Sequence, residues 1–191
     1  MTKNKNTIPK AARQAALIGH VIIDRASVFA RAAHAGQKRK YSGEPYFNHC
    51  KNVSIMVSKV SGDYRMIAAA LLHDVLEDTK VTEQDLVEVF GREIAAIVVE
   101  LTDSPTEAGN REQRKALDRQ RLENASAVAQ TIKLADLIDN TFSIVGNDPK
   151  FAKVYLKEKE LLLAVLTRGN KTLYDKAVQI LKDSQEQLNV Q

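Results

Sequence analysis

The chain has 191 residues, 44% hydrophobic and 27% charged, with eight glycines, four prolines and no tryptophan; this excludes a disordered or collagen-like polymer and fits one compact domain that buries roughly 70% of its unfolded surface. The net charge of +4 would suit a polyanion, but the basic residues are interspersed with acids and no aromatic stacking platform is visible, so nucleic acid is not expected as the ligand. No segment reaches the ~18 apolar residues of a membrane span, no apolar run follows the polar start MTKNKNTIPKAARQ, and Cys50 has no second cysteine to pair with, so a cytoplasmic setting is expected, without membrane or secretory leader.

In chain order, residues 1–10 read as a flexible tail and 11–191 as a single domain. From Ala11 to Ala35 the apolar spacing suits a long helix, with Gly19 as the one place it could break. GQKRKYSGEP (36–45) is a loop holding the consecutive Lys38, Arg39 and Lys40. Such a triplet is usually a solvated loop, and a pocket for a small polyanion is the sharper reading. Residues 46–60 are amphipathic and helical. Gly62 and Asp63 interrupt them, Asp63 can cap the next helix, and that helix is expected to run unbroken from Tyr64 to Glu77. Thr82 starts another, with Asp85 three positions on in a capping-box arrangement and Gly91 at its end. REIAAIVVELT continues as helix to about Thr102, DSPTEAGN (103–110) is a loop, and REQRKALDRQRLE is a charged helix. An apolar helix follows to Gly146. Asp148 is the N-cap and Pro149 the first residue of a helix expected to close at Gly169, and a last amphipathic helix runs from Lys171 to Leu188. There is no repeat and no dividing linker. The fold class is all-α, a helical bundle.

One stretch does not look like plain core. AAALLHDVLEDT (68–79) runs from an apolar helix straight into His73, Asp74, Glu77 and Asp78. Adjacent helical residues point about 100° apart, so an ion clasped by His73 and Asp74 would sit off the helix shoulder and need ligands from elsewhere. The best donors are His49, after the basic loop, and Asp136 in IKLADLIDN. Two imidazoles and two carboxylates suit Mn²⁺, Fe²⁺ or Zn²⁺ and not Ca²⁺. Taken singly, each of the four is more often a structural residue, a surface pair or a cap. Together they differ, because Ala, Leu and Ile surround Asp74 and Asp136, and a buried carboxylate is unfavourable unless a cation or hydrogen bonds compensate it. Glu77 and Asp78 lie four residues after the pair, on the same faces one turn along. Hydrolysing a phosphate ester needs an activated water and a group to manage its proton, and negative charge at a helix C-terminus is otherwise unfavourable. Asn140 lies one turn after Asp136 and could hold a ribose or a water; Ser143 extends that line. Asp139 is read as structural.

Three segments in this order, AHAGQKRKYSGEPYFNH, AAALLHDVLEDTKVTEQDLVEVFG and TIKLADLIDN, resemble the hydrolase domain of the RelA/SpoT-homologue family, a branch of the HD-domain metal-dependent phosphohydrolases. The resemblance runs from about Ala30 to Ala164. It implies an HD-domain helical bundle of the stand-alone small alarmone hydrolase type. It implies one divalent ion, Mn²⁺, on His49, His73, Asp74 and Asp136, with Glu77 and Asp78 as the catalytic pair that activates water. For the substrate it implies Arg39 and Lys40 in the basic loop, Tyr46 and Asn140 along the base and ribose, the Ser143 hydroxyl and Tyr155. The implied reaction removes the 3′-pyrophosphate of guanosine tetra- or pentaphosphate. The chain departs from the long bifunctional enzymes in two places. Tyr41 follows the basic triplet, so that either Arg39 or Lys40 could face the nucleotide, and LIDNTFS stands where those enzymes carry a His and an Arg. Alternative readings keep the site but change the substrate, to a nucleoside 5′-monophosphate or the 2′-phosphate of NADPH, or make the chain a non-catalytic nucleotide-binding module. In every case the partner is a small phosphorylated nucleotide; the sequence leaves the oligomeric state open.

Overall fold

In the computed structural model, which describes residues 9–190, the helices in chain order are α1 (Lys10–Ala33), α2 (Phe47–Ser58), α3 (Tyr64–Leu72), α4 (Val75–Asp78), α5 (Glu83–Phe90), α6 (Arg92–Leu101), α7 (Arg111–Asn124), α8 (Ala127–Asn147), α9 (Pro149–Leu163) and α10 (Lys171–Val190), with a 3-10 turn at Thr106–Ala108. There is no strand among the described residues; the basic loop is pinned by one antiparallel bridge between Lys38 and Pro45. The all-α expectation holds. Residues 1–8 of the expected tail lie outside the described residues, and Lys10 already opens α1. Among the described residues no helix is long and apolar enough to cross a membrane.

Two helices form the centre. In α3 the run from Ala68 to Leu72 is buried on every side, as expected of a helix apolar all round, and α1, α2 and α6 pack against it. The second is α8, whose buried face includes Ile132, Leu134, Ala135, Asp136 and Ile138; α2, α6, α9 and α10 pack on it. Helix α2 touches both. The three elements that carry His49, His73 with Asp74, and Asp136 therefore meet in the middle of the core.

The helix starts follow local chemistry. Asp63 accepts from the Arg65 backbone N–H at 2.9 Å, Thr82 and Asp85 cap each other reciprocally, and Asp148 accepts from the Phe151 N–H at 3.1 Å beside Pro149. A second capping box, Asn110 with Gln113, starts α7.

Three expectations are corrected. Helix α1 does not break at Gly19: a Cβ there would lie 3.1 Å from the Tyr64 Cβ, so the missing side chain lets α3 approach. The helix expected from Tyr64 to Glu77 stops at Leu72 and resumes at Val75, with Asp74 at φ −99°, ψ −2° between them. And α9 ends at Leu163, well before Gly169. Gly169 is no helix cap; a Cβ on it would fall 2.6 Å from Leu134 Cδ1, because the 164–170 segment lies directly on α8, with the Arg168 and Asn170 N–H groups donating to Gln130 and Thr131.

Candidate metal centre

His49 and His73 are 1% and 2% exposed, with ring centroids 5.1 Å apart. Each is oriented through Nδ1. His49 Nδ1 donates to Asp139 Oδ2 at 2.7 Å, and His73 Nδ1 donates to the Ala70 carbonyl at 2.9 Å. With the proton held on Nδ1, the Nε2 lone pair of each ring is left for a Lewis acid. Both Nε2 atoms are buried without a hydrogen-bond partner. They face carboxylates instead: His49 Nε2 is 3.1 Å from Asp136 Oδ1 and 3.5 Å from Asp74 Oδ2, and His73 Nε2 is 3.1 Å from Asp74 Oδ2 and 3.8 Å from Asp136 Oδ1.

The carboxylates are oriented in their turn. Tyr46 Oη donates to Asp74 Oδ2 at 2.8 Å, Asn140 Nδ2 to Asp136 Oδ1 at 2.6 Å, and Lys133 Nζ lies 3.0 Å from Asp136 Oδ2. Burial opposes the charge on His73, but Asp74 and Asp136 outweigh it and raise its pKa to about 10. Burial likewise pushes against ionisation of Asp136, yet Lys133 and the two imidazoles hold it well below the usual carboxylate range. Two carboxylates facing two imidazoles favour positive charge between them, and one divalent cation would supply it. The donor set fits such an ion.

Glu77 and Asp78 border the same space. One turn is preserved from Asp74 to Asp78, whose N–H donates to the Asp74 carbonyl at 2.9 Å. The break in the helix removes the simple one-turn relation expected between His73 and Glu77. Glu77 Oε2 instead accepts from the Asp103 N–H at 3.1 Å. Burial, followed by the Asp103 carboxylate, raises its pKa to about 7, with Lys133 opposing. Burial and then Asp74 push the Asp78 carboxyl up as well. Both residues line a cavity of about 200 Å³ together with Asp74, Asp136, Asn140 and Tyr155. A carboxyl group that titrates near neutrality beside a cleft is suited to proton transfer.

The basic loop sends its neighbours in opposite directions. Arg39 turns inward, with Nη1 donating to Asn140 Oδ1 at 2.9 Å and Nη2 3.4 Å from Asp139 Oδ2. The Lys40 side chain is 74% exposed and reaches Tyr41 Oη at 3.1 Å and Asp148 Oδ2 at 3.7 Å. Ser143 lines an adjoining groove with Arg39, Lys40, Tyr46 and Phe151. Tyr155 is half-buried, its hydroxyl 3.3 Å from Thr141 Oγ1 and 3.4 Å from the Leu137 carbonyl. Of the twelve residues named from the sequence, Lys40 turns outward and Ser143 lines only the adjoining groove.

Sequence reasoning undervalued Asp139 and missed a buried ionic chain. Asp139 fixes His49 and also meets Arg39 and Asn52. Lys133 joins Asp136 to Asp103, which Lys115 also contacts. Lys133 was legible: it lies three residues before Asp136 on an apolar helix, at ion-pair spacing. Asp103 gave no signal, because its contacts to Glu77 and Lys133 cross about thirty positions.

A family profile described as HD domain matches residues 26–158. The chain belongs to the HD-domain family. An HD domain implies a divalent metal, and His49, His73 and Asp136 form a buried group that fits one. This HD domain is 37% identical over 124 residues to MESH1 of Drosophila melanogaster, named a guanosine-3′,5′-bis(diphosphate) 3′-pyrophosphohydrolase, across 63% of this chain and 68% of that protein. It is 34% identical over 147 residues to a Mycoplasma pneumoniae protein named a probable enzyme of the same activity, across 72% of this chain but 20% of the relative's length. Among solved structures, a metazoan orthologue of SpoT described as hydrolysing ppGpp superposes on this HD domain with a TM-score of 0.77 at 29% identity, covering 93% of this chain and 97% of that one. A Listeria monocytogenes protein does so with a TM-score of 0.63 at 25% identity, covering 75% and 97%.

Proposed function

We propose that the chain is a Mn²⁺-dependent hydrolase that removes the 3′-pyrophosphate of guanosine tetra- or pentaphosphate, leaving GDP or GTP and pyrophosphate. The observation that carries this reading is the pair of buried, unpartnered Nε2 atoms facing two carboxylates, set beside a cavity that Glu77 and Asp78 line. The likeness of nearly the whole chain to a protein described as hydrolysing ppGpp supports the choice of substrate. His49, His73, Asp74 and Asp136 would hold the ion. When bound, it supplies Lewis-acid polarisation and acidifies water at neutral pH.

The chain's own residues do the rest. Glu77, ionised above about pH 7, accepts the proton of the attacking water on a carboxylate oxygen, and Asp78 shares the charged wall beside it. Arg39 offers a guanidinium to phosphate oxygens. Tyr46 and Asn140 hold Asp74 and Asp136 in orientation while presenting their other faces to the nucleotide. Ser143 and Tyr155 line the walls, and Lys40 serves the rim. The reading places a single domain over 11–191 in the cytoplasm, with a phosphorylated nucleotide as its small-molecule partner.

Product analysis tests it. Incubation of the Mn²⁺-loaded protein with guanosine tetraphosphate should give GDP and pyrophosphate in equal amounts. Release of orthophosphate from NADPH or a nucleoside 5′-monophosphate, with the alarmone left intact, would replace this substrate by one of those.

A further inference from the structure

Lys159 heads the largest fully buried side chains among the described residues, at 1% exposure. It lies on α9 one turn after Tyr155 and lines the cavity that holds Asp136 and Asn140. Its Nζ donates to Thr141 Oγ1 at 2.8 Å, while Thr141 passes its own proton to the Leu137 carbonyl at 2.6 Å. Among the described residues no carboxylate lies within 4.0 Å of this ammonium.

Three other cations along this wall, the partly exposed Arg111 and Lys115 and the more enclosed Lys133, are compensated. Arg111 is paired in two-pronged fashion with Glu158, both contacts at 2.7 Å. Lys115 has Asp103 and Asp118, and Lys133 has Asp103 and Asp136. Lys159 has one neutral hydroxyl for three ammonium protons. A buried, unpaired ammonium opposes folding, whereas a methionine would fill the same volume without that penalty. Burial alone lowers its pKa to about 8, the response of an amine that lacks a counter-charge. A purely structural lysine would reach the surface or a carboxylate.

We infer that Lys159 is an inner anchor for a phosphate of the nucleotide other than the one being removed. This rests on the nucleotide reading above and names the residue that would hold the second phosphate. The metal centre takes one phosphate group, and the ammonium, with the Tyr155 hydroxyl near it, takes another through charge-assisted hydrogen bonds. A nucleoside monophosphate has nothing left for Lys159 once its phosphate is at the metal.

The test uses the full chain, treated with chelator so that nothing turns over, titrated calorimetrically with GDP and with guanosine. In Lys159→Met and Lys159→Gln, GDP affinity should weaken roughly tenfold to hundredfold, the range of one lost charge-assisted hydrogen bond. Guanosine affinity should not change, and ligand-free Lys159→Met should melt at or above the wild-type temperature. Unchanged GDP affinity in both variants would overturn the inference. So would a lowered melting temperature with equal losses for GDP and guanosine, which marks a structural lysine, or a wild-type protein that binds the two equally. Failure of the wild type to hydrolyse guanosine tetraphosphate overturns the proposed activity instead and leaves the GDP against guanosine comparison standing.

Discussion

The two ends of the cavity balance charge in opposite ways. At the metal centre, on α2, the α3–α4 junction and α8, each imidazole is held through Nδ1, each carboxylate has an outer donor, and the inward Nε2 atoms are left without hydrogen bonds. At the α9 end, one hydroxyl, that of Thr141, faces an ammonium that has no counter-ion among the described residues. The first end is built to receive a cation, the second an anion. A substrate that brings phosphate to both would bridge them, and the contrast can be broken or sharpened one residue at a time.

The largest effect belongs to the ligands. His73→Ala or Asp136→Ala should abolish both bound metal and turnover, measured by elemental analysis and GDP release; either variant with full activity would remove the metal centre from the mechanism. Glu77→Gln should retain metal and nucleotide while kcat falls by roughly 10²- to 10⁴-fold. In the wild type, kcat/KM should fall as the pH drops below about 7, because the raised carboxyl of Glu77 is then protonated and cannot accept the water's proton. A flat profile from pH 5 to 8 would take that role from Glu77. Asp139→Asn should weaken metal affinity by roughly 10- to 100-fold, since the orienting acceptor of His49 is blunted while the ligand stays; metal titration reads this directly.

The smallest effect is on stability. The depressed pKa of Lys159 means that the unfolded chain binds the proton more tightly than the folded one. The penalty is therefore present in full below about pH 8 and is relieved as the pH rises from about 8 towards 10.5. Lys159→Met should melt above the wild type at pH 7, and the gap should narrow by pH 9.5. A gap that is constant from pH 7 to 9.5 would mean that the buried amine stays protonated in the folded chain as in the unfolded one, so that its pKa is not depressed.

What was legible in the sequence follows from range. The caps at Asp63, Thr82 and Asp148 depend on neighbours within three residues, and each is where local chemistry put it. The helix break was not legible, because AAALLHDVLED has helical spacing throughout; it is tied to the His73 contact with Ala70 and the altered backbone at Asp74. The convergence of His49, His73, Asp74 and Asp136 was legible because carboxylates among Ala, Leu and Ile need a reason. Which of Arg39 and Lys40 turns inward was not; that follows the turn that Gly43 closes at φ +70°, with Arg39 N–H donating to the Glu44 carbonyl at 2.8 Å, a conformation that the residue order alone leaves open. Asp139 was passed over because its partner is ninety positions away and meets it only once α2 lies across α8.

Helix α7 carries Arg111 and Lys115 to the cavity wall, yet the side chains it buries are Asp118 and Leu122. Ions and one charge-assisted hydrogen bond help to moor it: Arg111 to Glu158, Lys115 and Arg121 to Asp103, and Asp118 to the Ser104 N–H. Partly exposed pairs of this kind weaken as salt screens them over about 10 Å at 0.1 M, whereas apolar helices such as α3 do not loosen in this way. One wall of the cavity is thus tuned by ionic strength while the metal centre opposite stays fixed, and KM should rise with added salt well before metal occupancy or the global fold responds.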